Sequence, residues 1–238
     1  MIARRNAFAA TLAALSLVAT EAAAQSSNAA ASPWMALVEV GPVWHHDASH
    51  QSFLPSRTAP PTVGLSFGRD IAPIGPALTV AIDAMWRIEN TSGRVRQRFD
   101  TQLVTHRLQG GVTLRLSAVR WLTPYARLSV GAAHYNARVK GTEGGELVSE
   151  AWTPFGSLGA GLMLTTGRWF EGIGWHRGRV VVLVEGGYEW ALPVTLTAAP
   201  PTPDDPQAAA DRIASGGVAL GTLNPSAAYL RFGVGFRF

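Results

Sequence analysis

Apolar and polar residues alternate with a period of two along most of the chain. Eight such runs follow one another, at residues 34–44, 63–68, 78–89, 104–116, 125–132, 152–164, 180–190 and 230–238. In the third run, Val80, Ile82 and Ala84 fall on one face, opposite Asp83 and Arg87. Because successive side chains of a strand point to opposite faces, the pattern predicts eight β-strands with one apolar and one polar face each.

Two all-β architectures fit this alternation. A soluble sandwich buries its apolar faces between two sheets, whereas a membrane barrel turns them to lipid and keeps its polar faces inside. The predicted strands run to roughly ten residues, which is the length needed to cross a bilayer at a tilt. Their polar faces carry small residues and charges of both signs. The sequence therefore predicts an all-β fold, an eight-stranded antiparallel up-and-down transmembrane β-barrel over residues 34–238.

Aromatic residues collect at the predicted strand ends. With the chain start in the periplasm, the predicted outer girdle contains Trp44, Trp86, Trp152, Tyr188 and Trp190, and the predicted periplasmic girdle contains Trp34, Trp121, Trp169 and Phe238. Aromatic girdles are typical of the two lipid–water interfaces of a membrane protein. The alternative is that Trp is simply common in β-structure.

The first 24 residues have the three parts of a secretory signal peptide. Arg4 and Arg5 are followed by an apolar stretch at 7–19 and by three alanines at 22–24. The stretch is shorter than the roughly 20 residues of a membrane-spanning helix. We expect residues 1–24 to be cleaved, and residues 25–33 to form a short polar segment ahead of the barrel; a buried N-terminal helix is the alternative.

The last run is the most regular, and it places Phe232, Phe236 and Phe238 on one face. It resembles the C-terminal assembly signal of outer-membrane β-barrel proteins, and the segments at 123–131 and 156–161 look like strand motifs common there. The chain resembles the small barrels of the OmpA, OmpX and OmpW type. The resemblance implies the outer membrane of a Gram-negative bacterium, contact with its lipid and lipopolysaccharide, and recognition by the barrel assembly machinery. It implies no cofactor, and we expect a monomer.

The polar faces predict a charged interior. The acidic residues there are Glu39, Asp83, Glu89, Glu185 and Glu189, and the basic residues are Arg87, Arg107, Arg115, Arg127, Arg231 and Arg237. The interior of an eight-stranded barrel is just wide enough to be filled by side chains. Buried charges are costly unless they are paired and hydrogen-bonded. Five acids and six bases favour a salt-bridge network that plugs the barrel; an ion path or a gate of switchable pairs is the alternative.

The sequence contains few residues that suggest catalysis, metal binding or nucleic-acid binding. Cysteine is absent, and the 20 basic residues are scattered, unlike the concentrated basic surface of a nucleic-acid-binding protein. His45, His46 and His50 are weak candidate ligands for zinc or copper in a predicted outer loop at 45–61, but their spacing matches no metal motif, and a solvated loop is the stronger interpretation. No catalytic motif is recognisable.

Three functions remain open. The first is a non-enzymatic barrel that contributes to envelope integrity or surface contact through its outer loops, predicted at 45–61, 90–100, 136–150 and 193–227. The second is a channel for small solutes or hydrophobic molecules, as in OmpW-type barrels. The third is a lipid-modifying enzyme of the outer membrane.

Overall fold

The computed structural model describes residues 34–47, 59–74, 78–95, 99–116, 121–141, 146–165, 179–198 and 218–238. These residues form ten strands: β1 Trp34–His45, β2 Pro61–Ile74, β3 Leu78–Val95, β4 Phe99–Leu116, β5 Leu122–Gly141, β6 Glu146–Thr165, β7 Arg179–Ala191, β8 Val194–Ala198, β9 Val218–Leu223 and β10 Ala227–Arg237. Among them, no helix is long and apolar enough to cross a membrane. The predicted signal peptide and the segment 25–33 lie outside the described residues.

Eight strands close into one antiparallel barrel in the order β1-β10-β7-β6-β5-β4-β3-β2. The first and last strands pair, with Ala36 opposite Phe236 and Val40 opposite Phe232. At the chain end, Trp34 N donates to Phe238 O (2.7 Å) and Phe238 N donates to Trp34 O (2.9 Å). Closure leaves no open sheet edge in the barrel wall, which is a requirement for strands in hydrocarbon.

The two faces of each strand have opposite environments. Val130 and Phe232 point outward and are 68% and 50% exposed, whereas Arg87, Glu185 and Arg231 point inward and are no more than 1% exposed. An apolar belt around a polar interior is the arrangement of a transmembrane β-barrel. The predicted fold class is confirmed, and the soluble-sandwich alternative is wrong.

The four middle strands are longer than the sequence predicted. β3 and β4 have 18 residues and β5 and β6 have 20, whereas roughly ten cross a bilayer. Their upper parts pair as strands: Asn90 lies opposite Val104, and Asn136 opposite Glu150. The polar outward residues Asn90, Asn136 and Glu150 end the apolar alternation but not the hydrogen-bonded ladder, so much of the predicted outer loops at 90–100 and 136–150 is sheet. We call this four-stranded continuation the β3–β6 extension (residues 90–95, 99–105, 135–141 and 146–153).

Strands β8 and β9 form a hairpin within the predicted outer loop at 193–227, where the sequence predicted no strand. Its buried side chains pack against the inward faces of β4, β5 and β6. We call this group the mouth cluster; it contains Leu103, Ala133, Tyr135, Ala137, Phe155, Val194, Leu196 and Leu223. The hairpin thus buries an apolar surface at the outer end of the barrel.

Candidate functional site

Glu185, on β7, is the most highly connected carboxylate in the described lumen. Tyr125 and Tyr229 each donate a hydrogen bond to it at 2.9 Å. Arg231 Nη1 lies 3.2 Å from Oε1, and Arg127 Nη1 lies 3.3 Å from Oε2. Two guanidinium groups and two phenols therefore stabilise one buried negative charge, as such a charge requires.

The network continues upward through Glu189 and Glu89. Arg231 Nη2 lies 2.8 Å from Glu189 Oε1, and Arg87 donates to the same oxygen. Arg107 joins the two carboxylates, with Nε 3.6 Å from Glu189 and Nη1 2.7 Å from Glu89. The ion pairs form one connected group because each guanidinium can donate from several nitrogens in a fixed plane.

Below Glu185, Arg127 connects the network to two further carboxylates. Its Nε lies 3.5 Å from Asp83, and its Nη1 lies 3.9 Å from Glu39. Each of these two carboxylates also accepts a hydrogen bond from a hydroxyl: Thr113 donates to Asp83 at 2.5 Å and Ser66 donates to Glu39 at 2.6 Å. Side chains from β1 to β5 thus meet at one level of the interior.

Asp70 is a buried lumen carboxylate that sequence reasoning missed. It lies at the periplasmic end of β2 and pairs with both Arg115 and Arg237. The second predicted strand stopped at residue 68; continuing its inward series through Ser66 and Gly68 by two more residues would have reached Asp70.

With Asp70 included, acidic and basic residues balance within the described lumen network. The six carboxylates are Glu39, Asp70, Asp83, Glu89, Glu185 and Glu189, and the six guanidinium groups are those of Arg87, Arg107, Arg115, Arg127, Arg231 and Arg237. Every residue of the predicted lumen network faces the interior and has an ionic partner. A neutral set of pairs costs less to bury than an excess of one sign.

Glycines make room for the two tyrosines. A Cβ on Gly159 would lie 2.3 Å from the Tyr229 hydroxyl, and one on Gly187 would lie 2.4 Å from it. A Cβ on Gly161 would similarly lie 2.9 Å from the Tyr125 hydroxyl. The inward faces of β6 and β7 are therefore kept small so that phenols from β5 and β10 can reach Glu185.

The interior is not polar throughout. An apolar cluster of Met35, Leu37, Tyr125, Met163, Val181 and Leu183 occupies part of it, below Glu185. Some polar atoms in the described lumen also lack a hydrogen-bond partner, among them Arg87 Nη1, Gln109 Oε1 and Ser129 Oγ.

The candidate metal-ligating histidines do not come together. His45 points into the lumen, where its Nε2 lies 2.9 Å from Glu89. His46 points outward and stacks on Tyr188 with ring centroids 6.1 Å apart. Neighbouring residues of an extended chain face opposite sides, which separates the two rings. His50 lies outside the described residues, and the part of the chain that the structure describes holds no group of three or more potential metal ligands.

The predicted girdle residues lie on the outward face. Those that the structure describes are all exposed: Trp44, Trp86, Trp152, Tyr188 and Trp190 toward the outer end, and Trp34, Trp121 and Phe238 toward the periplasmic end. Trp34 stacks on Phe67 at 4.9 Å, and the Arg69 guanidinium lies over its ring. Trp169 lies outside the described residues. Phe232 and Phe236 also face outward; their role as an assembly signal stays a prediction.

The fold is similar to that of solved outer-membrane proteins. A major outer membrane protein from Thermus thermophilus matches with a TM-score of 0.56 and 11% identity, over 88% of this chain and 100% of that one. Ail, the attachment invasion locus protein of Yersinia pestis, matches with a TM-score of 0.46 and 12% identity, over 88% and 100% of the two chains. Neisserial surface protein A gives 0.43 and 10%, over 87% and 97%.

At these identities the likeness to the Thermus protein shows the fold and nothing finer. No family model matches the chain, and no curated protein matches it.

Proposed function

We propose that this protein is a non-conducting, non-enzymatic barrel of the bacterial outer membrane that acts by surface contact through the β3–β6 extension. The observation that carries the proposal is the continuation of four strands beyond the apolar belt as a sheet with a polar outer face. Six to eight further residues per strand correspond to about 20–27 Å of chain, well beyond what membrane crossing requires.

The apolar belt supports the membrane location. More than twenty large apolar side chains are exposed on the outside of the described barrel, and Leu65, Val130, Leu158 and Val234 are among the most exposed of them. A soluble protein rarely leaves so large a continuous apolar surface in water. Together with the predicted signal peptide and the fold shared with an outer-membrane protein, the belt favours the outer membrane over any aqueous compartment.

The edges of the extension support a role in contact. β2 pairs with β3 only as far as Glu89, and β7 pairs with β6 only from Phe155. Above those points, neither the β3 edge nor the β6 edge pairs with any described strand. A sheet edge with unpaired N–H and C=O groups can accept an extended segment of another protein as an added strand.

Most outward side chains of the extension are polar, although Val104 and Val148 are apolar, and several of the polar ones are hydrogen-bonded to one another. Gln102 donates to Asn90 at 3.2 Å, and Asn136 donates to Glu150 at 3.0 Å. Arg138 reaches Asn136 with its Nε at 3.3 Å. Such a surface is hydrated and offers amides and charges to a partner outside the cell, so the strands there need no lipid contact.

A filled interior supports the absence of conduction. The charge network occupies the middle of the lumen, and the mouth cluster lies above it. An eight-stranded barrel filled in this way leaves no continuous aqueous path. Planar-bilayer recordings on the purified barrel test this point: we expect no discrete current steps, whereas reproducible steps would favour the channel alternative.

The contact role is tested by trimming the extension. In one variant, residues 91–104 and 136–150 are each replaced by a short turn; in a matched control, the segment 166–177 between β6 and β7 is shortened instead. We expect cells that display the full chain or the control to attach to polystyrene and to sediment together more than cells that display the trimmed chain. Heat-dependent gel mobility checks that all three barrels are folded.

Equal attachment by the full and trimmed chains would contradict the contact role. Increased sensitivity to detergent in cells without the protein, restored equally by both chains, would assign it to envelope integrity instead.

A further inference from the structure

Four rings form a continuous row across the outward faces of β3, β4, β5 and β6. Trp86 stacks on His106 with centroids 6.1 Å apart, and His106 stacks on His134 at 6.4 Å, with interplanar angles of 21° and 26°. The ring of His134 is tilted by 34° against that of Trp152, with centroids 4.5 Å apart.

The row lies where the apolar belt ends. Next below it on β4 is Leu108, followed by Val112 two outward positions further down, and both are exposed. Next above it, the outward positions of β5 and β6 hold Asn136 and Glu150, which belong to the polar face of the extension. On β3 and β4 one more apolar position, Ile88 and Val104, precedes Asn90 and Gln102 on that face. Tryptophan prefers the lipid–water interface because its ring is apolar and its N–H is polar. The two imidazoles therefore lie at the depth of lipid headgroups.

The imidazole nitrogens of the two histidines can form further hydrogen bonds at this depth. The imidazole of His106 makes no hydrogen bond with any described residue, and it stacks on Trp86 and His134. His134 Nε2 lies 3.8 Å from Glu150 Oε2, too far for a hydrogen bond, and Glu150 accepts from Asn136. An imidazole N–H at the edge of hydrocarbon needs an acceptor, and the nearest abundant acceptors are headgroup oxygens.

We propose that this row binds the phosphate-bearing headgroup of an outer-leaflet lipid. The inference rests on the outer-membrane location proposed above. His106 and His134 donate to the phosphate, Trp86 and Trp152 flank the headgroup, and the acyl chains lie on the belt over Leu108. A phosphate fits better than a neutral headgroup because the row presents N–H donors, and Arg138 adds a partly exposed guanidinium above it.

The test compares a phosphorylated lipid A with its dephosphorylated form. Purified, detergent-solubilised barrel is incubated with both, and the retained lipid is quantified by native mass spectrometry. The double variant His106→Phe/His134→Phe keeps two aromatic rings in the row but removes their N–H groups. His46→Phe is the matched control, because His46 stacks on an exposed aromatic ring elsewhere on the outward face. The single variant His106→Phe serves if the double variant does not fold.

We expect the wild type and His46→Phe to prefer the phosphorylated lipid by about tenfold, the effect of one hydrogen bond to a charged group. The double variant should retain both lipids equally. Equal retention of the two lipids by the wild type, or an undiminished preference in the double variant, would overturn the proposal. If the wild-type barrel inserts into liposomes and yet shows no preference, only this inference fails; if it does not insert, the proposed function fails with it.

Discussion

The barrel interior is filled in two different ways at two levels. In the middle, charged side chains from nearly every strand of the wall are joined by ion pairs centred on Glu185, Glu189 and Arg231. At the outer mouth, apolar side chains of the added hairpin, such as Leu196, pack against Leu103 and Phe155. The charged side chains belong to the strands of the barrel wall, whereas part of the apolar cluster at the mouth belongs to the separate β8–β9 hairpin.

This difference has a physical consequence. An ion pair in a dry interior is directional, and loss of one partner leaves the other charge uncompensated. A packed apolar cluster loses only the area and volume that are removed. We therefore expect a substitution of a few atoms in the middle of the lumen to destabilise the whole barrel. A substitution at the mouth should lower only the local stability of the hairpin.

The largest effect is expected for Glu185→Gln. The change keeps the shape of the side chain but leaves Arg127 and Arg231 short of one negative charge in a buried site. We expect the free energy of unfolding to fall by about 3 kcal/mol, as when one partner of a buried pair is removed. Urea unfolding of the barrel in lipid vesicles, followed by tryptophan fluorescence, measures it.

Glu146→Gln on the exposed part of β6 is the control for this experiment, since Glu146 is half exposed and lies 3.9 Å from Arg138. An equal loss of stability in the two variants would show that ion pairs in the buried lumen stabilise the barrel no more than ion pairs on its exposed surface.

A smaller and local effect is expected for Leu196→Ala in the hairpin. Leu196 is fully buried, and truncation removes apolar contact with the barrel wall. We expect about 2 kcal/mol less local stability, a roughly thirtyfold loss of protection. Amide hydrogen exchange in β8 and β9 measures this, and β7 should keep its protection.

Leu192→Ala is the matched control, because Leu192 precedes the same hairpin but is 63% exposed. If Leu196→Ala lowered protection throughout the barrel, the mouth would be coupled to the wall, and the contrast between the two levels would fail.

The smallest effect is expected for Gly159→Ala, which adds one methyl group beside the Tyr229 hydroxyl. The phenol must move away from Glu185 or strain the strand, and we expect a loss of about 1–2 kcal/mol by overpacking. The control is Gly186→Ala, whose added Cβ would meet nothing closer than 3.9 Å. If the two variants unfold at the same urea concentration, the tyrosine contact does not stabilise the network.

Pairing between distant residues explains what sequence reasoning could not reach. Arg87 and Glu189 are 102 positions apart, and the closure of the barrel brings them together. Asp70 was missed because the predicted second strand stopped at residue 68, although its inward alternation continues to Asp70. The loop assigned to His45 is strand, and its ring is directed into the lumen toward Glu89. The β8–β9 hairpin was missed because its strands are short and because their buried side chains pack against the mouth of the barrel, a contact that no local pattern reveals.

What could be derived from the sequence was the local pattern: eight strands, the outward and inward face of each, the closure of the last strand on the first, and the charges that share the interior except Asp70. A period of two depends only on neighbouring residues, so it is legible without the fold. The tertiary structure decided which charge meets which, how far the middle strands continue, and that two histidines and two tryptophans form one row. Those outcomes depend on register and barrel closure, which bring together residues that no local pattern relates.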